Sequence, residues 1–112
     1  MFIIYHNPKC SKSRETLKLL EEHTNDIKII EYLKETPTQS ELAEIATKLK
    51  LNPLDFIRTK ESIIKEESID LSDNDHALMA MEKFPKIIER PIVVKGDRAI
   101  IGRPPEKVKE LF

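Results

Sequence analysis

The chain has 112 residues, of which 39% are hydrophobic and 35% charged, with a formal net charge of −1. This size and composition predict one soluble domain with its own core and argue against disorder. The nearly balanced charge argues against nucleic-acid binding, which usually requires a basic excess.

Cysteine usage and hydropathy predict a location. A single cysteine allows no intrachain disulfide and is typical of a reducing compartment. The apolar run from Phe2 to Tyr5 is too short for a signal peptide, and no later run is long enough for a membrane span. We therefore expect a cytoplasmic protein that does not associate with membranes.

The first part of the chain alternates between strand and helix patterns. Phe2 to Tyr5 predicts a buried strand, and Ser13 to Glu22 a helix. Ile27 to Leu33 predicts a second strand, with Ile29 among its inward side chains. Strand, helix and strand in this order form a βαβ unit with parallel strands and a right-handed crossover.

The middle of the chain is predicted to be helical. Thr38 and Glu41 form a capping box ahead of apolar residues at helical spacing, which indicates a helix ending near Leu49. Further helical segments are predicted for residues 52–57, 62–67 and 74–84, with Pro85 closing the last one.

The C-terminal part returns to strands. "PIVVKGDRAII" predicts two strands joined by the hairpin turn Gly96-Asp97. A last helix starts at Pro104-Pro105, with Val108, Leu111 and Phe112 docking on the sheet. The order βαβ, helices, ββα predicts an α/β fold with a mixed four-stranded sheet and a helical insertion at about residues 38–84.

Cys10 lies where the first strand meets the first helix. Unpaired N–H groups and the positive end of the helix dipole favour an anion there, and so would Lys9, Lys12, Arg14 and His6. Ser13 could also turn its hydroxyl towards the sulfur. These features favour a reactive thiolate over an inert buried cysteine.

Spacing excludes simpler roles for this thiol. Ser13 stands where a dithiol site has its second cysteine, and Thr16 where a cysteine phosphatase has its arginine. The histidines form no metal-binding pattern, so we expect no metal. Arg58, Arg90 and Arg103 could instead bind an oxyanion, since Arg90 and Arg103 flank one hairpin.

Four stretches of the chain match the motifs of a known family. "IYHNPKCSKSRETLKLL" resembles the signature "YHNPxCxxSRxTL", and "YLKETPTQSEL" resembles "YLxxPPTxxEL". "ERPIVV" and "GRPPEKV" resemble the late "RPIVV" and "RPxE" blocks. The chain therefore resembles the ArsC-type, glutaredoxin-coupled arsenate reductases of the thioredoxin-like superfamily. Ser11-Lys12 replaces the Gly-Thr of better-known members, so the chain resembles a "CSKSR" sister branch.

The resemblance implies a thioredoxin-like fold and a set of site residues. Cys10 would be the nucleophile, and Pro91 would be cis and face it. The remaining assignments are oxyanion binding by Arg58, Arg90 and Arg103, and support of the thiolate and anion site by His6, Ser13 and Arg14.

The resemblance also implies a reaction. The Cys10 thiolate would attack arsenate, glutathione would join, and glutaredoxin would resolve the mixed disulfide as arsenite leaves. No bound cofactor is expected, and we expect a monomer.

Two other functions are compatible with the sequence. Spx-like regulators bind RNA polymerase and resemble this fold, but often carry a Cys-x-x-Cys switch that Ser13 disrupts. Monothiol glutaredoxin-like proteins act on glutathionylated partners, which Cys10-x-x-Ser13 permits, or hold an iron–sulfur cluster. Capture of the polymerase α subunit's C-terminal domain would indicate an Spx-like regulator. Bound iron would indicate a glutaredoxin-like protein that holds an iron–sulfur cluster.

Overall fold

The computed structural model describes residues 1–112, which form two compact units. The first comprises residues 1–35 and 90–112, and the second comprises residues 36–89. The second unit contains the insertion predicted at about residues 38–84 and extends beyond it at both ends. That both units belong to one domain stays a prediction. None of the helices is long and apolar enough to cross a membrane.

The first unit is built on the mixed four-stranded sheet that the sequence predicted. β1 (Phe2–His6) pairs in parallel with β2 (Ile27–Glu31) and antiparallel with β3 (Ile92–Lys95), which pairs antiparallel with β4 (Arg98–Ile101). The strand order is β2-β1-β3-β4. α1 (Ser11–His23) joins the two parallel strands, which need such a crossover.

β2 is less buried than its sequence predicts. Ile29 was expected to point inward, but its side chain is 47% exposed. The reason is that β2 is an edge strand that pairs only with β1, so its side chains have fewer neighbours than those of a central strand.

The core of the first unit lies where α1 and a C-terminal 3-10 helix (Pro105–Leu111) pack together with the sheet. The last helix is therefore present, but as 3-10 turns. Phe112, predicted to dock on the sheet, lies edge-on to Phe2 of β1 with 6.1 Å between ring centroids, and it also stacks on His23 at 3.8 Å while staying 44% exposed. It follows the last helical turn, from which its ring reaches α1. The core residues are Phe2, Ile4, Leu20, Val93, Val108 and Leu111.

The β3–β4 hairpin brings two distant arginines to one end of the sheet. Its turn is Gly96-Asp97, and Gly96 has φ +60°, in the left-handed region that favours glycine. Ile92 lies opposite Ile101, so the segments before β3 and after β4 meet at the same end. The Arg90–Pro91 peptide bond is cis, as the resemblance implies, and the Arg103–Pro104 bond, for which we made no prediction, is cis as well.

The second unit is helical. At its start, Thr38 Oγ1 accepts a hydrogen bond of 3.1 Å from the Glu41 backbone N–H, and the Glu41 carboxylate accepts one from the Thr38 backbone N–H, which confirms the capping box. The segment predicted for residues 52–57 forms a 3-10 helix. A second 3-10 helix begins at Pro85, the proline that was predicted to close the helix at residues 74–84. The elements are α2 (Gln39–Leu49), a 3-10 helix (Pro53–Phe56), α3 (Ser62–Glu66), α4 (Asn74–Lys83) and a 3-10 helix (Pro85–Ile87).

α4 organises the core of this second unit. It packs against α2 and against both 3-10 helices. The buried side chains at these contacts are Leu42, Ile45, Phe56, Ala77, Met81 and Ile87.

Candidate active site

Cys10 is the N-cap residue of α1, as the strand-to-helix pattern predicted. Its backbone is extended, with φ −97° and ψ 123°, and the residue is partly buried. Its N–H donates to the Asn7 carbonyl at 3.0 Å, and its carbonyl accepts from the Arg14 N–H at 3.0 Å. The sulfur is thus held at the end of the helix where the unpaired N–H groups lie.

The surroundings of the sulfur favour the thiolate. Partial burial opposes ionisation of Cys10. This effect of burial is outweighed by the backbone N–H groups of Ser13 and Lys12 and by the hydrogen bond and positive charge of the Arg90 side chain. Together they hold the pKa of the thiol below its ordinary value. A larger thiolate fraction makes Cys10 a better nucleophile near neutral pH.

Arg90 and Arg103 converge on Cys10. Arg103 Nη2 lies 3.7 Å from Cys10 Sγ, and Arg103 Nε donates to the Arg90 carbonyl at 2.8 Å. The Arg90 side chain also hydrogen-bonds the sulfur. Two arginines from the two ends of one hairpin therefore lie beside one thiolate, an arrangement suited to a tetrahedral oxyanion.

Ser13 supports this site differently from the prediction. Its hydroxyl does not serve the sulfur: it lies 2.6 Å from His6 Nδ1 and accepts a hydrogen bond of 3.0 Å from the Asn7 backbone N–H. The backbone N–H of Ser13 favours the thiolate instead. The reason is that the buried imidazole needs a partner, which the neighbouring hydroxyl provides.

His6 does not add the positive charge predicted for it. The residue is 7% exposed, and burial is the main reason why the pKa of its imidazole lies below the ordinary value, opposed by the charge of Glu31. A neutral His6 holds the loop through Ser13.

Arg14 also has a structural contact. It was expected on the same helical face as Cys10, but its side chain is exposed and Nη1 donates to the Pro8 carbonyl at 3.0 Å. That carbonyl lies in the loop that leads to α1, so Arg14 ties the helix to its own entry loop. Its charge also lowers the pKa of His6, after burial and the opposing effect of Glu31.

Arg58 belongs to the second unit. Its Nη1 lies 3.2 Å from Glu89 Oε1, and its backbone N–H donates to the Ile87 carbonyl at 2.7 Å. Each side chain of this ion pair is 25% exposed. The role of Arg58 in oxyanion binding stays a prediction.

Two residues near the sulfur were not predicted. Asn7 caps the loop with its backbone carbonyl and with Oδ1, which accepts from the Lys9 N–H at 3.0 Å. Tyr32 is 1% exposed, and burial raises the pKa of its phenol against the opposing charge of Arg90. Both follow the paired residues His6 and Glu31 at the carboxyl ends of parallel strands, where α/β folds commonly bind ligands. That edge rule could have identified them.

No group of three or more His, Cys, Asp or Glu side chains in residues 1–112 is close enough to hold a metal ion.

The lowered pKa of Cys10 has two measurable consequences. The midpoint of its alkylation rate against pH should lie below the unperturbed value of about 8.5. A thiol whose folded-state pKa is depressed contributes its full stabilisation above the unfolded-state pKa, and this is lost as pH falls through the folded pKa. Relative to Cys10→Ser, the wild type should therefore gain free energy of unfolding as pH rises between the folded-state pKa and about 8.5.

Iodoacetamide kinetics and urea denaturation at several pH values measure these two effects. An alkylation midpoint at or above 8.5 with a pH-independent stability difference would contradict the lowered pKa.

Gly102 allows the segment after β4 to approach the cis proline. A Cβ at this position would lie 2.5 Å from Thr16 Oγ1 and 2.9 Å from Pro91 Cγ. Gly102→Ala should therefore lower the free energy of unfolding by about 1–3 kcal/mol, the usual effect of overpacking. Urea denaturation measures this change.

The matched control for Gly102 is the other glycine of the chain. A Cβ at Gly96 would meet no atom within 4 Å, and asparagine tolerates its positive φ. Gly96→Asn should change the stability by less than about 0.5 kcal/mol. Equal effects of the two substitutions would show that close packing at Gly102 is not what excludes a side chain.

Known proteins match this chain over nearly its whole length. The model of the ArsC family matches residues 5–111. The arsenate reductase of Haemophilus influenzae is 46% identical over 113 residues, covering 98% of this chain and 97% of the relative. An arsenate reductase of Neisseria meningitidis is 41% identical over 112 residues, covering 97% and 96%.

Solved structures give the same match. A structure described as an arsenate reductase from Vibrio cholerae superposes with a TM-score of 0.92 at 46% identity, covering 99% of this chain and 97% of the other. A putative arsenate reductase from Yersinia pestis has a TM-score of 0.92 at 43% identity, covering 98% and 99%. At these identities the agreement extends along nearly the full length of each chain, including the strand, helix and hairpin segments that hold Cys10, Arg90 and Arg103.

Proposed function

We propose that this chain, which belongs to the ArsC family, reduces arsenate to arsenite with Cys10 as its nucleophile. The observation that carries the proposal is the convergence of Arg90 and Arg103 on the Cys10 sulfur, with Arg103 Nη2 at 3.7 Å. The names of the H. influenzae and V. cholerae relatives support arsenate as the substrate.

The first step is substitution at arsenic. The Cys10 thiolate forms a sulfur–arsenic bond, and one arsenate oxygen leaves as water after taking up protons. Arg90 and Arg103 balance the negative charge of the anion and orient it, because guanidinium groups donate paired hydrogen bonds to oxyanions. Arg58 is proposed as a third oxyanion ligand.

The second step transfers two electrons. The thiolate of glutathione attacks the Cys10 sulfur, the sulfur–arsenic bond breaks, and its electron pair leaves with arsenic as arsenite. Cys10 and glutathione are then joined in a mixed disulfide. Since the chain has one cysteine, a thiol of another molecule must take the glutathione and restore the free thiolate, and we propose that glutaredoxin provides it.

A coupled assay tests this proposal. Purified protein is mixed with arsenate, glutathione, glutaredoxin, glutathione reductase and NADPH, and the arsenate-dependent loss of NADPH is followed. We expect turnover that disappears in Cys10→Ser and when glutaredoxin is omitted. Turnover no higher than that of Cys10→Ser would reject arsenate reduction, whereas turnover that does not need glutaredoxin would reject only that reductant.

The same chemistry predicts where the protein works and in what form. Reduced glutathione is available in the cytoplasm, which we propose as the location. We also propose that the protein is a monomer. Size-exclusion chromatography with light scattering tests this, because a monomer has a mass of 13.0 kDa and a dimer would have twice that mass.

A further inference from the structure

Tyr32 has a buried hydroxyl whose O–H proton has no acceptor. The residue follows β2 directly and is 1% exposed, and its phenol oxygen has no hydrogen-bond partner of standard geometry. A buried polar group in this condition destabilises a protein. Native proteins rarely keep one unless a ligand, a water or a catalytic role accounts for it.

The surroundings of this hydroxyl are those of the candidate active site. The groups that act on the phenol oxygen are Arg90, through its charge and as a hydrogen-bond donor, Asn7 as a hydrogen-bond donor, and the charge of Cys10. All of them belong to the first unit, and Arg90 and Cys10 are the groups that would meet the substrate. The phenol therefore lies beside the groups that would bind the anion.

The phenol is available as a donor at neutral pH. Burial raises the pKa of Tyr32, and the charge of Arg90 only partly opposes this, so the hydroxyl keeps its proton. A neutral O–H group beside a thiolate and a guanidinium can donate to an anion without adding charge.

The sulfur itself is not the acceptor that the phenol lacks. The groups that lower the pKa of Cys10 are the backbone N–H groups of Ser13 and Lys12 and the Arg90 side chain. Arg103 Nη2 is a further donor, at 3.7 Å from the sulfur. With those donors already on the sulfur, an oxygen that arrives with the substrate is the acceptor that would complete the hydrogen bonding of Tyr32.

We propose that Tyr32 is an oxyanion-binding residue, whose hydroxyl donates a hydrogen bond to one oxygen of the tetrahedral anion held beside Cys10 by Arg90. The inference rests on the proposed function, and it adds a neutral donor to a site otherwise made of arginines. Such a donor recognises an oxygen by direction as well as by charge.

The test measures anion binding directly with Tyr32→Phe, which keeps the ring and removes only the hydroxyl. Phosphate and sulfate serve as tetrahedral probes that Cys10 cannot reduce, and arsenate is tested beside them. Protection of Cys10 from iodoacetamide as each anion is added gives its dissociation constant. We expect protection of the wild type and a dissociation constant raised about 10-fold or more in Tyr32→Phe, as for a hydrogen bond to a charged group.

Two further readings separate anion binding from a structural role. The alkylation midpoint of Cys10 in the absence of anions should be the same in Tyr32→Phe as in the wild type. The free energy of unfolding should be equal or higher, because an unpartnered hydroxyl is removed from the interior. A shifted midpoint or a clear loss of stability would overturn the inference, since the hydroxyl would then serve the thiolate or the fold.

Thr24→Val is the matched control. It also removes one hydroxyl from the first unit, but at the opposite end of α1, about 20 Å along the helix from Cys10. Its anion dissociation constants should equal those of the wild type. If the anions protect Cys10 equally well in the wild type and in Tyr32→Phe, only the role of Tyr32 is overturned. If they do not protect Cys10 in the wild type, oxyanion binding is overturned and the proposed function with it.

Discussion

Arg90→Ala is expected to lower kcat/KM for arsenate by about two to three orders of magnitude, which is the usual effect of removing one donor from an oxyanion site. It is also expected to raise the pKa of the Cys10 thiol. Arg90 acts on the sulfur both by a hydrogen bond and by its charge, so its removal leaves the backbone N–H groups of Ser13 and Lys12 to oppose the effect of burial. Coupled NADPH assays and the pH profile of alkylation measure these two changes.

Arg98→Ala is the control for this experiment. Arg98 lies on β4 of the same hairpin, where Nη2 donates to the Glu110 carbonyl. The same chemical change at this position should leave both kcat/KM and the alkylation midpoint unaltered. If Arg90→Ala changed kcat/KM and the alkylation midpoint no more than Arg98→Ala does, the contact between Arg90 and the sulfur would not have the function we assign to it.

Much of the fold follows from short-range patterns that are visible in the chain. Thr38 and Glu41 define the start of α2 because a capping box is a local device, and Gly96 defines the hairpin turn because its positive φ is local too. The exposure of Ile29 was not predictable in this way. It depends on the position of β2 at the sheet edge, which strand order determines and local sequence does not.

The position of the nucleophile was predictable, but its hydrogen bonds were not. A cysteine between a strand and a helix must lie at the helix N-terminus, and Cys10 does. The hydrogen-bond partners of the Ser13 and Arg14 side chains depend on which donor or acceptor lies closest to them in the folded chain. A buried imidazole takes the hydroxyl of Ser13, and a loop carbonyl takes the guanidinium of Arg14.

Among the site residues that lie far from Cys10 in the sequence, some could also be predicted and others could not. Arg90 and Arg103 could be paired from the sequence because a two-residue hairpin fixes their register. Tyr32 was missed because a tyrosine after a strand carries no charge pattern. Its position at the carboxyl end of β2 could have been noted from the predicted strands, but the role of its hydroxyl depends on its burial and on the lack of an acceptor, which only the structure gives.

Arg103 provides the second large effect, and here the shape of the side chain matters as well as its charge. Its Nε donates to the Arg90 carbonyl at 2.8 Å while Nη2 lies 3.7 Å from the Cys10 sulfur. A lysine carries the same charge but has no fork that can reach two acceptors at once. We expect Arg103→Ala to lower kcat/KM about 10- to 100-fold, as for loss of a hydrogen bond to a charged group, and Arg103→Lys to recover only a small part of it.

The bond from Arg103 to the Arg90 carbonyl also makes the two arginines interdependent. Part of the effect of Arg103 is exerted by holding the backbone that carries Arg90, so this part disappears once Arg90 is alanine. In a cycle of wild type, Arg90→Ala, Arg103→Ala and the double variant, the double variant should lose less activity than the product of the single losses, with an interaction energy of about 0.5–3 kcal/mol. Losses that multiply would mean that each arginine binds the anion independently and that the contact between them has no part in catalysis.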